Sequence, residues 1–227
     1  MTERAEAAGI PADGRRDGRS DLYALLSRSF AFPAPEFHRE VIEGRWLESA
    51  SSLAATLPYR LQPGAAGAWS ASGGDYDRFQ SEFIRLFEVG ARGSAPCALY
   101  GGHYARDRLR TMEELVRFYN FFGLRLSPGL MPDHITVELE FMHYLAFKET
   151  EAGRSGDDVE SYLRAQKDFL DRHLGSWLPA LQAAMRAQRP LPFYRALVRL
   201  AARFVECDRR YLGRPDGPGR LGDGNHD

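Results

Sequence analysis

A chain of 227 residues, 44% hydrophobic and 12% aromatic, carries enough apolar side chain for one sizeable core, which excludes intrinsic disorder of the whole chain. A formal net charge of −1 gives no basis for long-range attraction to nucleic acid or to an anionic membrane surface, and no run reaches the ~18 apolar residues of a membrane span. Cys97 and Cys207 lie far apart in no CxxC pattern, so no disulfide framework is indicated and a reducing cytosol fits.

Residues 1–19 are polar, broken by Gly and Pro, and read as a flexible tail. Arg15 and Arg16 are adjacent there, but no uncharged apolar segment follows them. The chain is therefore not read as an export substrate itself, and a cytoplasmic location is expected. Ser20 is placed to cap a first helix in which Leu22, Leu25, Leu26 and Phe30 repeat at helical spacing. A short helix from Pro35 to Gly44 and a third from Arg45 to Leu57 follow, then a loop stopped by Gly73 and Gly74. Asp75 to Val89 puts Tyr76, Phe79, Phe83, Leu86 and Phe87 on one stripe, with Gly90 suited to cap the C-terminus.

After a loop of small residues, a fifth helix is expected over 105–122, ended by Gly123. The sixth spans 133–151 with Asp133 as N-cap, and the seventh 159–174, broken by Gly175. The eighth runs 176–188 and the last 193–212. Residues 213–227, dense in Gly, Pro and Asp, read as a second tail. No hairpin signal and no internal repeat is visible. The expected architecture is all-α: one domain, residues 20–212, of about nine helices.

The sixth helix, MPDHITVELEFMHYL at 131–145, carries two His, one Asp and two Glu among apolar residues. Its apolar positions cover the whole circumference, which marks a buried central helix whose ionisable groups are paired or border a cavity. At ~100° per residue from His134, Glu138 shares its face, while Glu140 and His143 share the other. The two sets therefore cannot ligate one ion.

Glu140 and His143 form a Glu-x-x-His, which occurs twice in four-helix carboxylate-bridged metal proteins but once here; Glu82 and Glu114 can be offered as extra ligands, but half of a second metal's shell is missing. A metal-dependent α-helical enzyme using Glu140/His143 is the alternative this leaves open. Pro132-Asp133-His134 has two readings. Asp133 is a plain cap beside a solvated His134, or the pair forms an acidic, hydrogen-bonding rim of a groove that receives a basic group of a partner peptide. Asp157-Asp158 sits at a helix start where acids favour the dipole, and Gly101-Gly102 lacks a phosphate-loop Lys.

EFIRLFEVG (82–90), APCALYGGHY (95–104) and PDHITVELEFMHYL (132–145), in that order, resemble the TorD/DmsD/NarJ group of cytoplasmic chaperones, over about residues 20–212. The ALYGGHY form is similar to members serving dimethyl sulfide, ethylbenzene, chlorate or selenate molybdoenzymes. The resemblance implies an all-α (TorD-like) fold with no catalytic turnover and no cofactor of its own. It implies a system-specific partner, the apo catalytic subunit of a DMSO-reductase-family molybdoenzyme, bound often at its twin-arginine signal peptide. Such a chaperone keeps the subunit competent for molybdenum cofactor insertion and holds back export. Relatives are monomers or helix-exchanged dimers.

The resemblance carries peptide recognition onto Pro132, Asp133 and His134, with Tyr100 and Pro96 in the facing loop. Many relatives have a polar residue between that Pro and Tyr, where this chain has Cys97-Ala98-Leu99. Glu82 and Arg85 match positions that can be structural. A helical interaction protein with another client is the third reading.

Overall fold

The computed structural model describes residues 18–64, 67, 69, 75–88 and 95–214. Their order is α1 (Gly18–Ser29), α2 (Pro35–Ile42), α3 (Arg45–Ala55), α4 (Tyr76–Phe83, continued by a π-helical turn, Ile84–Glu88), a one-turn α5 (Gly101–Tyr104), α6 (Arg108–Phe121), α7 (Ile135–Ser155), α8 (Glu160–Arg172), α9 (Leu174–Arg186) and α10 (Pro192–Leu212). Nine of these α-helices have eight residues or more, and the chain is all-α, as the helical periodicity leads one to expect. None is long and apolar enough to cross a membrane.

Local chemistry sets most boundaries. The Asp75 and Asp107 carboxylates accept the N–H groups of Asp77 (3.0 Å) and Arg110 (3.1 Å), so α6 begins three residues later than its apolar pattern suggests. Gly123 (φ +73°) and Gly156 (φ +77°) end α6 and α7 in the left-handed conformation. Ser20 does not cap α1. The helix already includes Gly18 and Arg19, and the Ser20 hydroxyl instead meets the His143 carbonyl (3.1 Å) and Nδ1 (2.8 Å). Residues 1–17, residues 215–227 and the expected cap Gly90 lie outside the described residues.

The break between α8 and α9 falls at His173 (φ −122°, ψ −106°), not at Gly175. A Cβ on Gly175 would lie 2.4 Å from the Leu170 carbonyl oxygen, so this glycine is there for close approach of the two helices.

Helix α7 is the central element. Helix α1 lies along it, with α8 and α9 also in contact. Leu139, Met142, Leu145 and Ala146 are fully buried within that arrangement. Two aromatic clusters flank the centre. Phe79, Phe83, Phe87 and Tyr194 join α4 to α10, and Phe118, Tyr119, Phe141 and Phe169 join α6, α7 and α8. A buried ionic cluster built on Arg19 and Asp208 ties α1 to α10.

Candidate groove formed by the 95–104 loop and the start of helix α7

The loop before α5 pairs with the chain entering α7. Tyr100 and His134 form an isolated antiparallel bridge; Gly101 N–H donates to the Asp133 carbonyl (2.7 Å), and Ile135 N–H donates to the Leu99 carbonyl (2.8 Å). The Cys97 N–H anchors the other end on the Leu86 carbonyl (2.9 Å) of the π turn. Tyr104 and Tyr119 hydroxyls donate to the Ala98 (3.0 Å) and Pro132 (2.7 Å) carbonyls. Few backbone groups of this segment are left to choose their own partners, so its shape is fixed by α7.

This pairing corrects the expectation for Asp133. The carboxylate is neither an N-cap nor a wet rim: Asp133 is 0% exposed, and its Oδ2 accepts the Gly102 N–H at 3.1 Å. The cap is His134, whose Nδ1 accepts from Thr136 N–H (3.3 Å) and contacts the Thr136 hydroxyl at 2.7 Å. Nδ1 as acceptor leaves Nε2 carrying the ring proton in the neutral form. Burial lowers the His134 pKa while the Asp133 charge raises it, and the net direction is down.

Because His134 has extended backbone (φ −76°, ψ 138°), counting 100° per residue from it fails. Glu138 turns inward and Glu140 outward, onto the same groove as His134. Glu138 is buried and accepts the Trp177 indole N–H at 3.2 and 3.3 Å, and Trp177 stacks on Tyr104 (centroids 5.5 Å, 9°). Burial, with the Asp133 charge adding to it, raises the Glu138 pKa well above the usual carboxyl value despite the Trp177 bond.

The sign of the linkage is then fixed. A raised folded pKa gives stabilisation that is fully present below the unfolded value, ~4.3, and lost as pH climbs toward the folded value. Glu138→Gln removes that loss, so the variant gains on wild type between pH 5 and pH 8 in urea unfolding. Parallel stability curves would show that no buried protonated carboxyl exists here.

Beside this framework lies a groove of about 710 Å3 between the end of α1, the π turn, the loop and the start of α7. Its apolar part includes Phe32 (50% exposed), which packs edge-on against Phe83 at 5.6 Å, and Leu130 (49% exposed) with Met131. The wider π turn presents Phe87 and Glu88 together to the groove, and such turns recur at functional sites. Tyr100 and His134 form a wall, their rings edge-on at 4.9 Å.

Glu88 and Glu140 are exposed and, among the described residues, in no ion pair; the Ser27 hydroxyl is 3.4 Å from Glu140. Arg28, also on the groove, is held by both oxygens of Glu40 (3.1 and 2.8 Å). Of the residues singled out from the sequence, Tyr100 and His134 thus face the groove, while Pro132 and Asp133 are buried behind them. Pro96 sits half-buried in the preceding turn, outside the groove lining. Glu88, Phe32 and Leu130 carried no local signal, since the first ends the π turn and the others stand in loops.

The Glu140/His143 pair does not converge. His143 Nδ1 meets Ser20, Glu82 accepts from Arg85 (2.7 Å) and the Leu191 N–H (3.0 Å), and Glu114 binds Arg110 and Arg172. Among the described residues no three His, Cys, Asp or Glu side chains gather in a metal-holding group. Burial pushes the Cys97 thiol up to about 11, so it offers no thiolate at neutral pH.

Comparison with known proteins places this architecture. The family model described as nitrate reductase delta subunit matches residues 49–183. A perchlorate reductase assembly chaperone protein from Dechloromonas aromatica is 34% identical, with 83% of this chain and 87% of the relative covered. A selenate reductase assembly chaperone protein from Thauera selenatis is 39% identical over 54% of this chain and 69% of its own. A dimethyl sulfide dehydrogenase assembly chaperone protein from Rhodovulum sulfidophilum is 32% identical over 82% and 76%. The chain belongs to the nitrate reductase delta subunit family, the TorD-like assembly chaperones of redox enzymes, whose members are chaperones and not catalysts.

Proposed function

We propose that this chain is a cytoplasmic, system-specific chaperone for the apo catalytic subunit of a DMSO-reductase-family molybdoenzyme. The client class is that of the oxyanion reductases and dimethyl sulfide dehydrogenase for which its relatives are named. The chaperone holds the subunit competent for molybdenum cofactor insertion before export, and the segment it grips is the twin-arginine signal peptide.

The observation that supports this reading is the groove beside His134. Exposed Phe32 and Leu130, with half-buried Met131, lie on the same surface as two carboxylates, Glu88 and Glu140, that lack an ion pair among the described residues. A signal peptide has the matching chemistry: a pair of guanidiniums followed by an apolar run. Apolar burial contributes about 25 cal/mol per Å2 before ordering costs, whereas a carboxylate–guanidinium pair at a wet surface adds only about 0–1 kcal/mol. The apolar run therefore sets affinity and the acids set register. Tyr100 and His134 contact the peptide, and Pro132, Asp133 and Pro96 hold the wall in position.

Calorimetry with the client's signal peptide tests this. Glu88→Gln with Glu140→Gln weakens binding about threefold to tenfold and abolishes the preference for Arg-Arg over Gln-Gln peptide. Phe32→Ser with Leu130→Ser weakens both peptides equally and by more. Unchanged affinity in both double variants would remove the groove from peptide recognition.

A further inference from the structure

A second groove, about 810 Å3, runs between α9, α10 and residues 62–64. Four exposed arginines line it: Arg186 from α9 and Arg195, Arg199 and Arg203 from α10. Among the described residues no carboxylate lines this groove and none of the four is in an ion pair. Neighbouring surfaces are built differently. Arg209 and Arg210, farther along the same helix, both bind Glu206; Lys167 binds Asp171, and Arg172 binds Asp168.

Like charges at i, i+4 destabilise a helix, and Arg195, Arg199 and Arg203 repeat that spacing twice. In a chain of net charge −1 this clustering does not follow from bulk composition. It is a standing repulsion that an anionic partner relieves.

We infer that this groove docks an acidic, extended segment of another polypeptide. The α10 arginines advance ~6 Å per step, close to the ~6.6 Å between alternate residues of an extended chain. They are spread over ~12 Å of helix rather than converging on one point as a phosphate requires. Half-buried Pro192 and Ala196 supply apolar surface beside the guanidiniums, which suits acidic residues alternating with aliphatic ones. The groove shares no described residue with the one beside His134, so the two proposals stand or fall separately.

The test uses the full chain and a fluorescein-labelled octapeptide of alternating aspartate and leucine, followed by fluorescence anisotropy. Expected is saturable binding that weakens with added salt and falls about tenfold or more in Arg199→Gln with Arg203→Gln. Glu36→Gln leaves it unchanged, and Arg199→Lys with Arg203→Lys retains most of it. The Gln variant unfolds at the same or a higher temperature, which separates lost docking from lost fold. Several results would overturn the inference: no saturable binding, a loss in the Gln variant no larger than that from Arg125→Gln, or equal binding of an asparagine–leucine peptide. Displacement by tripolyphosphate at lower concentration than by unlabelled peptide would overturn it in favour of a phosphate site.

Discussion

Asp208→Ala lowers the unfolding free energy by about 3–5 kcal/mol, a large share of the ~5–15 kcal/mol available to a domain of this kind. Asp208 is fully buried and accepts four hydrogen bonds: Arg19 Nε (2.7 Å) and Nη2 (3.2 Å), and the hydroxyls of Tyr23 (2.8 Å) and Tyr59 (2.9 Å). Arg19 is also buried and binds Glu149 (2.6 Å) and Gln166. Burial works against the Arg19 charge, but Asp208 and Glu149 outweigh it and hold its pKa above the ordinary value. Alanine at 208 leaves a guanidinium half compensated and two phenols without that acceptor, so the cost is that of stranded donors rather than of one lost contact. The double variant Arg19→Met, Asp208→Leu recovers part of the loss, because it removes the stranded guanidinium while the Tyr23 and Tyr59 hydroxyls and Glu149 still lose these partners. Urea unfolding of wild type and the two variants decides it. A cost below about 1 kcal/mol for Asp208→Ala would mean that water reaches the cluster.

That cluster also marks the limit of reading the fold from the chain. Helical periodicity places the helices because apolar spacing is a local signal, and Asp75, Asp107, Gly123 and Gly156 terminate them through local hydrogen bonds and φ values. Arg19 carries no local sign of burial. It precedes the apolar repeat, and its partners lie 130 to 189 residues away.

The start of α7 is obscured for the same reason. Asp-His before an apolar run has the form of a cap, yet the pairing of Tyr100 with His134 draws Asp133 inward and moves the cap one residue on. One residue of phase at 100° per step then decides which acid faces the groove, and it is Glu140 rather than Asp133. The π turn, whose five-residue step is invisible to a 3.6 period, hides Glu88 in the same way. Family resemblance pointed to this segment, whereas which of its groups face the groove required the tertiary pairing.

Under the proposed function, Gly101→Ala weakens signal-peptide binding about tenfold, and it costs about 1–3 kcal/mol of stability. A Cβ at 101 would sit 2.8 Å from Trp177 Nε1 and 2.9 Å from Glu138 Oε1. Neither neighbour yields easily: Trp177 is stacked on Tyr104, and Glu138 is buried in the first turn of α7. The backbone at 100–102 moves instead, which lengthens the Gly101-to-Asp133 hydrogen bond and carries Tyr100 away from His134. Gly123→Ala is the control. Its φ of +73° strains any side chain, at about 1–2 kcal/mol, but nothing lies within 4 Å and the groove is untouched. If calorimetry finds equal binding losses in the two variants, weakened stability alone explains them. A loss confined to Gly101→Ala makes the glycine pair the element that lets the 95–104 loop close onto Asp133 and Glu138, and so makes the buried acids the positioning groups of the groove.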